Sequence, residues 1–286
     1  MGETGRPSAM KRGPLGADPG RLPSALDCMG IIGEAARGRR LFASFDFDGT
    51  LTPIVKDPYE AYLDPAMRSR LETLSRVAAV AVVTGRDLGD IRRRVGIPAL
   101  FYSGCHGFEI AGPSGSGVAF RTGEKYAYAL EEAGERFEKI LVGFHGAILQ
   151  RKRYCLTVHY RLVAKEKVGA LISLVKEAAA GVGGLRARPD KKAVEVLPDM
   201  DWNKGSAVLW LLDHLGMTPA GSFALYVGDD ITDEDGFRAV AGRGAGVIVA
   251  GAGTGRVTLA TYRLESVEGT ALFIEGLTRI ASPGAP

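Results

Sequence analysis

Cysteine is scarce in this chain. Its three members, Cys28, Cys105 and Cys155, are an odd number without metal-type spacing. That argues against a disulfide framework and for a reducing compartment, so a cytoplasmic location is expected. Long apolar runs are missing too: none reaches the roughly 20 residues a membrane-spanning helix needs, and no membrane association is expected. Neither charge sign dominates. The net charge is only +3, Lys and Arg are scattered, and aromatics are 8% of the residues, so nothing points to nucleic-acid binding. The amino-terminal stretch lacks the apolar core of a secretory signal and is rich in Gly and Pro. It reads as a flexible tail over 1–38, outside the fold, with one short amphipathic helix over 25–38.

What is present is a core-forming chain. Hydrophobic residues make up 46% of 286, enough for one large domain or two modest ones. The stretch that organises it is Asp46-Phe47-Asp48-Gly49-Thr50-Leu51-Thr52-Pro53, which follows the apolar, β-prone run 41–45. Two carboxylates thus stand where a buried strand opens into a loop, and Gly49 lets the chain turn away. A lone Asp-Gly is most often an ordinary turn. Asp64-Pro65 starts a helix carrying Met67, Leu71 and Leu74 at helical spacing. A second strand over 78–83 delivers Thr84-Gly85-Arg86, and Asp87 caps the helix that follows. Strand, loop, helix, repeated, is the signature of a parallel sheet whose ligands sit at the carboxyl ends of its strands. The glycines flanking Cys105-His106 mark a tight backbone passage. His106 is either ligand-facing or a structural histidine.

After the Gly/Ser/Pro cluster at 112–117 the pattern becomes helix, hairpin, helix, two strands. Tyr128, Ala129, Phe137, Ile140 and Leu141 are the expected buried positions of the first helix. On the strand 153–161, Tyr154, Leu156, Val158 and Tyr160 share one face, and Arg153, Cys155, Thr157, His159 and Arg161 share the other. Gln150 and Lys152 fall together, as do Lys191 and Glu195. Such a polar sheet face is equally well a solvent-facing surface or a ligand surface. The core pattern then resumes. Asp201-Trp202-Asn203-Lys204-Gly205 opens a helix, and a strand over 223–227 runs into Gly228-Asp229-Asp230-Ile231-Thr232-Asp233-Glu234-Asp235, where Thr232 and Asp235 have capping-box spacing. The fold expected is α/β: a Rossmann-like parallel-sheet core over 39–111 and 199–286, with a smaller α/β cap inserted over 112–198.

The ordered set Asp46/Asp48, Thr84, Lys204 and Asp229/Asp233 resembles the haloacid-dehalogenase-like phosphatases. The strings DFDGTLTPIV, YSGCHGFEI, W-x-K-G and YVGDDITDEDGF resemble, more narrowly, the trehalose-6-phosphate phosphatase family over roughly 40–280. The resemblance implies hydrolysis of a sugar phosphate through an aspartyl-phosphate, with Asp46 as nucleophile and Asp48 as general acid and base. Thr84 and Lys204 would hold the phosphoryl group. Mg²⁺ would be bound by Asp46, the Asp48 carbonyl and Asp229, with Asp230 and Asp233 supporting from behind. Arg86, His106, Lys152, Arg161, Lys191 and Glu195 would contact the substrate, and a functional link to trehalose-6-phosphate synthase would follow. Two other readings stay open: the same chemistry on another sugar phosphate, and a non-catalytic phosphatase-like partner of a synthase.

Overall fold

A computed structural model of the chain describes residues 16–55, 60–190, 192–250 and 256–282. In chain order the first unit contains α1 (Met29–Ala36), β1 (Arg40–Phe45), α2 (Pro65–Ser75), β2 (Ala79–Val83), α3 (Leu88–Val95), β3 (Phe101–Gly104), β4 (Glu109–Ala111) and β5 (Ala119–Arg121). The inserted unit contains α4 (Ala127–Leu141), β6 (Ile148–Lys152), β7 (Cys155–His159), α5 (Lys165–Val182), β8 (Leu185–Asp190) and β9 (Ala193–Pro198). The chain returns through α6 (Lys204–His214), β10 (Ser222–Gly228), α7 (Glu234–Val240), β11 (Gly244–Val249), β12 (Tyr262–Leu264) and α8 (Val267–Ala281).

The large sheet runs β12-β11-β10-β1-β2-β3-β4-β5. It is parallel from β12 to β3, and β4 and β5 add antiparallel strands. From β1 the chain winds first toward β2 and β3, and only later toward β10 and β11. The order therefore reverses between β1 and β10, where an open α/β sheet leaves a crevice beyond its strand ends. Alternation along β1 feeds both sides. Leu41, Ala43 and Phe45 pack with α1, α2, α3 and α8, while Phe42 packs with α6 and α7. A strand buried on both faces needs this continuous apolar run.

Local signals set the helix ends. Asp64 accepts N–H bonds from Ala66 and Met67 ahead of Pro65, and Asp87 accepts from Gly89. Asn203 accepts from Ser206 and so starts α6 on the residue before Lys204.

The small sheet, β6-β7-β9-β8, is antiparallel. Leu156, Val158, Val194 and Val196 face α4 and α5 and pack on Leu130, Phe137, Leu171 and Val175. Its other face carries a register-matched row, Gln150–Thr157–Glu195–Arg188, one residue from each strand.

Four sequence expectations change. Residues 16–38 belong to the core: Ala25, Ile32 and Ala36 are buried, and Ala17 exchanges backbone hydrogen bonds with Thr258. Residues 1–15 lie outside the described residues. The 112–117 cluster, read as the cap junction, turns the β4–β5 hairpin inside the large sheet. Tyr128, expected to be buried, is 81% exposed on α4. The capping box falls on Asp230 and Asp233, not Thr232 and Asp235, because the chain turns two residues earlier.

Burial of Ile32 has a measurable consequence. Ile32→Ala should lower unfolding free energy by about 2–5 kcal/mol in urea titration, as for other large-to-small core changes. A loss below about 0.5 kcal/mol would remove α1 from the cooperative core.

Candidate active site

β1 ends at Phe45, and Asp46 follows with its N–H bonded to the Val227 carbonyl of β10 (2.8 Å). Its carboxylate is buried. Lys204, at the first turn of α6, places its ammonium 2.9 Å from Asp46 Oδ1 and 2.7 Å from Asp233 Oδ1. Asp233 is fully hydrogen-bonded. Oδ1 also accepts from the Tyr226 hydroxyl (2.8 Å), and Oδ2 accepts the N–H groups of Asp229 (3.0 Å) and Asp230 (2.9 Å). Asp233 therefore shapes the loop and aims Lys204.

Burial pushes the Asp46 carboxyl well above the usual range; Lys204 opposes this, and Asp233, Asp229 and Asp48 reinforce it. For Lys204, burial would depress the ammonium, but Asp233 and Asp46 outweigh it and raise its pKa.

Carboxylate oxygens of Asp46, Asp229 and Asp233 lie within 4.8 Å of one another. Three carboxyl groups surround one ammonium, so acid groups outnumber the base. An all-oxygen, acid-rich donor set suits a hard divalent cation. Because Asp233 is saturated, Asp46 and Asp229 are the groups that would hold it. Gly49 makes this approach possible. Its φ is +89°, and a Cβ there would fall 2.4 Å from Asp229 Oδ2.

Asp48 leaves the strand axis and is clamped by Arg86, with Nε and Nη2 each 2.6 Å from its two oxygens. Arg86 also meets Asp90, which holds Arg94. Arg86, expected on the substrate, thus grips the neighbouring carboxylate. Thr84 emerges beside the Asp46 loop because β2 pairs with β1, and its hydroxyl, all but buried, accepts the Arg86 N–H (3.3 Å).

The polar face of the small sheet is turned onto this edge. Glu195 is buried; Oε1 meets His106 Nε2 (2.9 Å), Cys155 Sγ (3.1 Å) and Lys152 Nζ (3.7 Å), and Oε2 takes a two-pronged bond from Arg188 (2.9 and 2.6 Å). Burial works against its ionisation. His106, Lys152 and Arg188 outweigh that and hold the carboxyl well below its usual range. Burial pushes the His106 imidazole down to about 4, so near neutral pH it is uncharged and its Nε2–H donates to Glu195. Lys152 Nζ donates to the Gly85 carbonyl (3.1 Å), and Trp202 Nε1 to the Gly107 carbonyl (2.7 Å). These bonds tie the inserted unit and the linker that returns from it to the loops after β2 and β3.

Arg161 is exposed beyond the end of β7 and outside this cluster, and Lys191 lies outside the described residues. Three participants went unread. Arg188 shares the row of Glu195, which strand alternation with the correct register would have revealed. Tyr226 sits inside an apolar strand and gives no polar signal. Arg256, whose Nη2 donates to the Asp229 carbonyl (2.6 Å), is 27 residues away in sequence.

Residues 44–268 match the sequence profile of the Trehalose-phosphatase family. The chain belongs to that family. A trehalose-phosphate phosphatase of Mycobacterium tuberculosis is 37% identical over 91% of this chain and 66% of its own length. The chain thus spans slightly less than two thirds of the curated relatives it matches. Among solved structures, a trehalose-6-phosphate phosphatase of Aspergillus fumigatus superposes with a TM-score of 0.63 at 30% identity, covering 90% of this chain and 98% of the other. The C-terminal domain of the Candida albicans trehalose-6-phosphate phosphatase gives 0.74 at 22% identity, covering 90% and 98%. The family and fold imply a divalent metal, and the Asp46–Asp229 donor set fits one. No helix among the described residues is long and apolar enough to cross a membrane.

The buried histidine predicts a pH dependence. Below about 6.5 the unfolded chain protonates His106 while the folded one does not until about 4. Stability contributed by the neutral, Glu195-bonded ring is present above 6.5 and lost as pH falls toward 4, by about 3 kcal/mol at most. Urea midpoints measured between pH 7 and 4 should show a shallower loss in His106→Gln, and equal slopes would assign the titration to other groups.

Proposed function

We propose that this chain hydrolyses trehalose 6-phosphate to trehalose and phosphate, with Mg²⁺ and through an aspartyl-phosphate on Asp46. The observation that carries this reading is the buried Lys204 between Asp46 and Asp233, at the strand-order reversal and next to Asp229. The names of the family and of its relatives supply the substrate.

Asp46 attacks phosphorus as the nucleophile, and the P–O bond to the sugar breaks. Asp48 gives its proton to the departing sugar oxygen. Its carboxylate then takes a proton from the water that attacks phosphorus of the aspartyl-phosphate, and the P–O bond to Asp46 breaks, releasing phosphate and restoring the Asp46 carboxylate. Asp48 is held by Arg86 in this structure, so the acid step exchanges that pair for the leaving oxygen. Thr84 and Lys204 hold phosphoryl oxygens where negative charge accumulates. Asp46, Asp229 and the Asp48 carbonyl would hold Mg²⁺, which would supply positive charge against the carboxylate and phosphate. Asp230 and Asp233 keep the Asp229 loop in place.

Lys152 and Glu195 of the cap and His106 of the loop after β3 would exchange their present bonds for sugar hydroxyls. Lys191 and Arg161 keep their place as further sugar contacts on the resemblance alone. The domain division that goes with this reading is a core with an inserted cap over 124–198. A cytoplasmic location and a functional link to a trehalose-6-phosphate synthase complete it.

The test is phosphate release from trehalose 6-phosphate, glucose 6-phosphate, sucrose 6-phosphate and glucosylglycerol phosphate, with Mg²⁺ and with EDTA. Trehalose 6-phosphate should be preferred, EDTA should abolish turnover, and Asp46→Asn should reduce it by about 10³-fold or more, the scale seen when a nucleophile is removed. Preference for another sugar phosphate would keep the core chemistry and overturn the cap reading. Folded protein inactive on all four would favour the phosphatase-like partner of a synthase.

A further inference from the structure

We propose that Arg256 is a positioning residue for the cation site: it fixes the peptide that carries Asp229 and so sets divalent-metal affinity. The inference rests on the reading of Asp46 and Asp229 as metal ligands.

The guanidinium lies behind the acidic loop. Nη2 donates to the Asp229 carbonyl at 2.6 Å, and Nη1 stands 3.7 Å from Asp230 Oδ1. A charge-assisted bond of that length is stronger than a neutral one. Its Nε is buried without a partner among the described residues. The segment that follows it is pinned by two elements. Leu259 N–H bonds Glu234 Oε2 (2.7 Å), and Thr258 exchanges backbone bonds with Ala17 (2.9 and 2.8 Å). Asp233 grips the N–H groups of Asp229 and Asp230, and Arg256 grips the Asp229 carbonyl. The peptide units on both sides of the Asp229 Cα are thereby held, and with them the direction of its carboxylate.

Two effects of removing Arg256 have opposite sign. Losing a positive charge near the site favours a cation, and losing the aim of a ligand disfavours it. Groups that orient metal ligands are commonly worth 10–100-fold in affinity, whereas a partly solvated charge several ångströms behind the ligand is screened. Positioning therefore dominates.

The experiment titrates metal-free wild type, Arg256→Met, Arg256→Lys and Arg238→Ala with Mg²⁺ and with Mn²⁺ by calorimetry, each checked for a cooperative melt. Arg238 is the charge control: it is largely exposed and pairs with Asp235, not with the Asp229 peptide. Arg256→Met should weaken cation affinity about 10-fold or more, Arg256→Lys should recover part of the loss, and Arg238→Ala should bind as wild type does. At saturating metal the KM for the sugar phosphate should stay within about twofold, because a ligand-aiming role does not touch substrate. Unchanged or tighter binding by folded Arg256→Met overturns the proposal. If that variant does not fold, Arg256→Lys decides, and affinity equal to wild type overturns it. Wild type that binds neither ion overturns the metal reading itself, and this inference with it.

Discussion

The ammonium of Lys204 stands between two carboxylates in a place water barely reaches, 3% exposed. Stripping water from such an ion costs several kcal/mol, and only close opposite charge with complete hydrogen bonding offsets it. Both partners come from distant sequence: Asp46 leaves β1, and Asp233 lies past the end of β10. The contact exists only because those strands are neighbours and because Asn203 starts α6 one residue before the lysine. Asp233 can serve as an anchor because four donors saturate it. Removing any of them leaves a buried charge with unmet demand, so strand order, helix cap and acidic loop depend on one another through this triad.

How much of this could be read from the chain follows the range of the signals. Asp64-Pro65, Asp87 and Asn203 act within three residues, and those helix starts are visible in the sequence. The doubly buried run of β1 is equally plain. What escaped needs tertiary knowledge. The acidic loop satisfies its own backbone through Asp230 and Asp233 because β10 runs one residue beyond the apolar stretch, to Gly228, where a Cβ would fall 2.3 Å from Asp233 Cγ. Residues 16–38 have the composition of a tail, yet a few apolar residues at helical spacing suffice to cover one edge of the core. The Gly-rich stretch at 112–117 marks a turn whichever unit it joins, and only pairing of β5 with β4 assigns it to the large sheet.

Alternation gave the two faces of the cap sheet but not its register. Once β9 is set against β7 and β8, Arg188 and Thr157 fall beside Glu195, and Arg188 becomes the two-pronged partner of a carboxylate whose ionisation burial opposes. Arg161 shares the parity of His159, but β7 ends at His159, so parity carries no information about where its side chain goes.

The join between cap and core combines polar contacts, His106–Glu195 and Lys152–Gly85, with a small apolar cluster. Hydrogen bonds to charged groups are worth about 1.5–3 kcal/mol net, so a ligand whose hydroxyls replaced His106–Glu195 or Lys152–Gly85 one for one would change little in free energy. Prying apart an apolar joint would cost about 25 cal/mol for each square ångström re-exposed. The apolar contact is instead concentrated in one small cluster, Cys105, Phe108, Tyr154 and Leu197, with Trp202 against it. Trp202 also bonds the Gly107 carbonyl and stacks on Phe120 of β5, close to where the chain leaves the large sheet for the cap. Apolar packing at the crossing point thus holds the cap to the core, while the polar contacts beyond it are of a kind that exchanges without re-exposing apolar surface.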